Sequence, residues 1–170
     1  MKRRSALKSM VVISSAITFL PSCDREVLPV YENIPIDKKQ RKLIEQLTDA
    51  LLPKKNTEII TPEKTIDYVL TVINDCQAPE EIEKYLGGLN EFQLLLKEKY
   101  NSSFQKLNPK SQQELFAFLM SPENTSDNLN HFFSTTFNLT KHHFTTSEYF
   151  MKNNLEFEFA PGRYLGCVEI

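Results

Sequence analysis

The sequence predicts an all-α fold: a single domain of about six helices with an extended C-terminal tail, preceded by an N-terminal export signal. Three observations carry this. Apolar residues recur at helical spacing through the middle of the chain, in segments opened by cap residues or proline. No alternating strand pattern runs for more than a few residues, and "LEFEFA" is the one candidate for a short extended piece. Residues 1–22 have a charge and hydropathy pattern that belongs to targeting rather than to a folded domain.

The signal comes first. Lys2, Arg3, Arg4 and Lys8 are followed by the apolar run "MVVISSAITFL" and by "LPSC", which closes at Cys23. This is the order of n-region, h-region and cleavage site in an export signal. The apolar run is too short to span a bilayer, which takes ~20 residues. The adjacent Arg3 and Arg4, followed by small or apolar residues and then Lys8, match a twin-arginine signal, which exports proteins already folded. "LPSC" has the form of a lipobox, in which Cys23 is lipidated and becomes the mature N-terminus; an ordinary signal with an incidental cysteine is the alternative. The expected organisation is a signal over 1–22, a linker over 23–35 and a helical domain over 36–170. The expected location is periplasmic, as a membrane-anchored bacterial lipoprotein.

The signal holds 4 of the 20 Lys and Arg residues and none of the 22 Asp and Glu, so the mature part is acidic. It has no basic stripe to attract a phosphate backbone, which argues against nucleic acid as a partner. With Cys23 lipidated, Cys76 and Cys167 remain. In an oxidising compartment such a pair usually forms a bridge; two buried thiols, or a pair too far apart to join, are the alternatives.

The helices follow in order. In "PIDKKQRKLIEQLTDALLP", Leu43, Ile44, Leu47, Ala50 and Leu51 share a face, and Pro53 ends the helix. Thr61-Pro62-Glu63 reads as an N-cap, a proline at the first helical position and an acid in the first turn. Ile66, Val69, Leu70, Ile73 and Cys76 then form one stripe, which puts Cys76 on the inner face of the helix end. Ala78-Pro79-Glu80-Glu81 opens the third helix in the same way, with the stripe Ile82, Tyr85, Leu86 and Leu89 extending toward Phe92 and Leu96. Gly87 and Gly88 lie inside it at a cost of ~1 kcal/mol each relative to alanine; close approach of another backbone, or a kink, would account for them. Asn108-Pro109 caps a shorter helix with Leu115, Phe116, Phe118 and Leu119. The most aromatic segment carries Leu129, Phe132, Phe133, Phe137 and Phe144. Thr145 and Glu148 have capping-box spacing and open a last short helix. Ala160-Pro161-Gly162-Arg163 suits a type II turn that sends Tyr164 to Cys167 back along the bundle.

Several chemistries lack their motifs. The only glycines are Gly87, Gly88, Gly162 and Gly166, so there is no dinucleotide fingerprint and no phosphate loop. No Cys-x-x-Cys-His attaches a haem, and no zinc spacing occurs. His142 and His143 are adjacent and point about 100° apart on a helix, so they cannot act as an i, i+4 metal pair. With His131 they are expected to be polar-face or interface residues. No local motif organises a serine or histidine for catalysis.

The mature chain resembles the gluconate 2-dehydrogenase subunit 3 family from about Lys42 to Cys167. "LTDALLPKKNT" is similar to the family's first helix, and "TIDYVLTVINDCQAPEEIEKYLGGL" to its second and third. "FQKLNPKSQQELF" is similar to the next helix start. "FTTSEYF" with "FAPGRYLGCV" resembles its closing signature. The chain departs from the pattern at "KKNTEIITPEKT", where the family has a shorter turn, and at His142-His143 and "LEFEF". The resemblance implies a non-catalytic small subunit that carries the export signal and escorts, stabilises and anchors a large FAD-dependent flavoprotein of the glucose–methanol–choline type. That partner oxidises a sugar or sugar acid, and a cytochrome c is a candidate third component. On this reading FAD lies in the partner, haem c in the third subunit, and no cofactor in this chain. A stand-alone periplasmic helical lipoprotein that binds another protein is the alternative. Candidate interface residues are Phe132, Phe133, Phe137, His142 and His143 on the aromatic helix, with core packing the favoured reading for the phenylalanines, and Pro161, Arg163 and Tyr164 on the tail. Arg and Tyr are favoured there because they are enriched at binding hot spots.

Overall fold

A computed structural model describes residues 29–53, 61, 63–155, 157, 158, 160 and 162. Among these lie six α-helices and no strand: α1 (Lys38–Leu51), α2 (Thr65–Cys76), α3 (Pro79–Tyr100), α4 (Pro109–Leu119), α5 (Asp127–Thr145) and α6 (Glu148–Asn154). A 3₁₀ turn, Phe104–Lys106, joins α3 to α4.

Local chemistry sets most of the boundaries. Asp37 opens α1 with a capping box: its carboxylate accepts from the Lys39 and Gln40 amides at 2.7 Å, and the Gln40 side chain accepts from the Asp37 amide at 3.0 Å. Pro79 takes the first position of α3 behind Ala78. The helix ends at Asn101, whose left-handed φ of 44° lets its N–H reach the Lys97 carbonyl. Asn108 caps α4 by accepting from the Ser111 amide at 2.8 Å, and Ser126 caps α5 through the Leu129 amide at 3.1 Å.

Two helix starts differ from the sequence expectation. The second helix begins at Thr65 rather than at Pro62, because the Thr61 hydroxyl donates to the Glu63 carbonyl at 2.6 Å in a turn instead of accepting from a helix amide. The last helix is capped by Ser147, not Thr145. Thr145 still belongs to α5, where its hydroxyl donates to the His142 carbonyl at 3.2 Å.

The core is built on the α3–α5 pair, with α1 and α2 packed against α5. Gly88 makes the central crossing possible. A Cβ there would stand 2.1 Å from the Asn128 carbonyl oxygen and 2.5 Å from the Phe132 Cβ. The glycine pair is therefore explained by close backbone approach, at Gly88 rather than Gly87. Around the crossing, Tyr85, Phe92 and Phe132 pack ring against ring at 5.0 and 5.5 Å. Phe104, from the 3₁₀ turn, joins them at 6.2 Å from Phe92 and is 1% exposed. The buried Tyr85 hydroxyl lies 3.1 Å from the Thr136 hydroxyl. Thr136 already donates to the Phe132 carbonyl at 2.8 Å, so Tyr85 is the donor of this pair.

The segment before α1 is fastened to α2. Ile34 is 2% exposed in the core. Asn33 donates twice to Asn74 at 2.9 Å, from its amide N–H to the side-chain oxygen and from its side-chain amide to the backbone carbonyl. Tyr31 approaches Asp67, which also pairs with Arg41 of α1. The apolar stripe of α2 ends one turn early. Ile66, Val69, Leu70 and Ile73 are buried, but Cys76 is exposed in a last turn it shares with Asn74 and Asp75, not on the inner face. No helix among the described residues is long and apolar enough to cross a membrane.

Candidate partner-binding surface

The sequence placed five interface candidates on the aromatic helix, and α5 separates them. Phe132 and Phe133 are 0% and 4% exposed. Phe132 packs on Tyr85 and Phe92, and Phe133 on Phe116 and Phe137, so both belong to the core and not to a docking surface. Phe137 is half-buried, His142 is exposed and His143 is 4% exposed. Of the five, Phe137 and His142 present usable surface. Cys23, Arg3, Arg4, Pro161, Arg163, Tyr164 and Cys167 lie outside the described residues.

The two histidines meet α2 at Tyr68, which the sequence reading did not single out. The Tyr68 ring stacks on His143 at 4.8 Å between centroids and runs nearly parallel to His142 at 6.0 Å. The Tyr68 hydroxyl lies 2.8 Å from His142 Nδ1, and the Thr65 hydroxyl 3.1 Å from His143 Nδ1. The two imidazoles thus have separate partners one helical turn apart on α2. Tyr68 lies beside the apolar stripe, at Ile66 and Val69, and an aromatic so placed was the available signal for a cross-helix contact.

Burial pushes the His143 pKa down; the nearby Glu63 carboxylate opposes the shift and His142 adds to it. Its Nε2 is buried with no hydrogen-bond partner, which disfavours the charged ring further. His131 lies apart: its Nε2 is 3.2 Å from a Glu81 carboxylate oxygen. Among the described residues no group of three or more His, Cys, Asp or Glu side chains converges to hold a metal.

Beside this cluster, a shallow apolar cleft of about 150 Å³ runs between the end of α1 and α5. Leu51, Phe137, Thr140 and Phe144 line it. The surface therefore joins a half-buried phenylalanine, an exposed imidazole and a small apolar cleft, features that suit contact with another protein.

The sequence model of one family, Gluconate 2-dehydrogenase subunit 3, matches residues 38–162, from the first residue of α1 to Gly162. The chain belongs to the gluconate 2-dehydrogenase subunit 3 family. The family is named for a subunit of a dehydrogenase complex, which implies a catalytic partner. Comparison with curated proteins found no match, and comparison with solved structures found none.

Proposed function

We propose that this chain is the non-catalytic small subunit of a membrane-associated, flavin-dependent sugar or sugar-acid dehydrogenase, and that it escorts the catalytic flavoprotein through export and then stabilises and anchors it. The observation that carries the reading is the family match across all six helices. The sequence supports the rest. A twin-arginine signal at Arg3 and Arg4 suits a cargo exported folded with its FAD in place, and acylation at Cys23 supplies the anchor. A bacterial lipoprotein cysteine carries more than one acyl chain, and stable anchoring takes more than one. The partner is a glucose–methanol–choline-type flavoprotein, with a cytochrome c as electron acceptor. On this account a Cys76–Cys167 bridge ties the tail to the end of α2, and the exposure of Cys76 leaves its thiol accessible for that bond.

The escort role is tested by replacing Arg3 and Arg4 with lysine and locating both proteins by cell fractionation. Retention of subunit and flavoprotein together in the cytoplasm is the expected result. Export of the flavoprotein at the wild-type level contradicts the escort.

A further inference from the structure

We infer that the groove between α1 and the C-terminal half of α3 is a docking site for an acidic, extended segment of the catalytic subunit. The inference rests on the subunit reading above and names the surface that would hold the partner. The groove has a volume of about 630 Å³. Lys39, Lys42, Lys97 and Lys106 line it from three elements, and no Asp or Glu does. All four lysines are exposed, and none forms an ion pair with a described carboxylate.

The groove's floor and walls decide what kind of anion fits. Leu43, Leu96 and Phe104 give it an apolar base. Gln46 and Gln105 bridge it with a 3.1 Å side-chain hydrogen bond, and Gln93 adds a third amide to the lining. Glutamine side chains both donate and accept, so they can pair with the peptide groups of an extended strand of chain. An apolar base takes an occasional apolar side chain, and a lysine rim takes carboxylates as point charges. The site has no arginine fork to grip a phosphate with two parallel bonds. A membrane surface would use the lysines but not a recessed base or the amides. An acidic polypeptide uses all three.

The test is zero-length carbodiimide cross-linking of the complex purified from membranes, which joins lysine amines to carboxylates in contact, followed by peptide mapping. Cross-links from Lys39, Lys42, Lys97 or Lys106 to the flavoprotein are expected. Cross-links confined to lysines elsewhere, such as Lys84, Lys141 or Lys152, overturn the proposal. The Lys42→Glu/Lys97→Glu variant should bind the flavoprotein at least tenfold more weakly, with an unchanged melting temperature because both side chains are exposed; equal binding overturns the proposal. Protection of the four lysines from acetylation by phosphatidylglycerol vesicles, with none from the flavoprotein, assigns the groove to lipid and also overturns it. A wild-type chain that co-purifies with no flavoprotein removes the subunit reading and this proposal with it. A wild-type chain that does, with the charge reversal inert, removes the groove alone.

Discussion

Gly88→Ala tests the helix crossing on which the core depends. The added methyl would lie 2.1 Å from the Asn128 carbonyl oxygen, 2.7 Å from its carbonyl carbon and 2.5 Å from the Phe132 Cβ. These atoms are backbone or the first atom of a fully buried side chain, so no rotamer change moves them aside. The α3–α5 pair must separate by about 1 Å to reach ordinary contact. Overpacking a core by one methyl costs ~1–3 kcal/mol, and a contact made by backbone belongs at or above the upper end. Alanine recovers ~1 kcal/mol of helix propensity over glycine. The net expectation is a loss of about 2 kcal/mol, or about 5–10 °C in melting temperature for a domain of this size. Gly87→Ala is the control. Its Cβ would meet only the Asn128 side-chain amide, at 3.2 Å, and that group can shift. It carries the same ~1 kcal/mol propensity gain against a small shift of the Asn128 amide, so it should lie between wild-type stability and about 1 kcal/mol above it. Thermal and urea unfolding of the two variants side by side give the answer. If Gly88→Ala is as stable as Gly87→Ala, the close-approach account of the glycine pair is wrong.

Other expectations follow from the same core and from the histidine cluster. Thr136→Val should cost about 1–3 kcal/mol because it strands the buried Tyr85 hydroxyl, whereas Tyr85→Phe leaves Thr136 bonded to the Phe132 carbonyl and should cost about 1 kcal/mol or less; urea unfolding that reverses this order contradicts the donor assignment. His143 has a folded-state pKa below its unfolded value, so the stability it contributes is complete above pH ~6.5 and is lost as pH falls from there through the folded value. Melting temperatures of wild type should therefore fall more steeply on acidification than those of His143→Gln, and equal slopes would show that His143 is not the group responsible. Under the proposed export, non-reducing peptide mapping should recover Cys76 joined to Cys167; recovery of both as alkylated free thiols removes the bridge.

The helices were legible in the sequence because their signals are local. Pro79, Asn108, the α2 stripe from Ile66 to Ile73 and the α3 stripe each act within a few residues of themselves, and the structure places them as expected. The glycine pair marked a close approach but could not say which glycine makes it, since that depends on where α5 crosses. The errors have a common origin in long-range geometry. Cys76 keeps the spacing of its stripe yet is exposed, because periodicity cannot show where the covering helix stops. Phe132 and Phe133 share a segment with Phe137, and only the packing of α3 and α4 against α5 separates core from surface. Phe104 was missed as a core residue because a three-residue 3₁₀ turn has no period to detect. Of the candidate surface, the histidines were visible, but their pairing with Thr65 and Tyr68 joins residues more than seventy positions apart. The lysine groove is assembled from α1, α3 and the 3₁₀ turn, so no stretch of sequence displays it.

The central claim is that this chain is the small subunit of a flavoprotein dehydrogenase. It is tested most directly by purifying the tagged chain from detergent-solubilised membranes and measuring bound FAD and sugar or sugar-acid dehydrogenase activity in the eluate. The account predicts a second, larger protein in fixed ratio to the chain, carrying FAD and active with a dye acceptor. A chain that elutes alone, colourless and without dehydrogenase activity, from cells that produce the flavoprotein would contradict it.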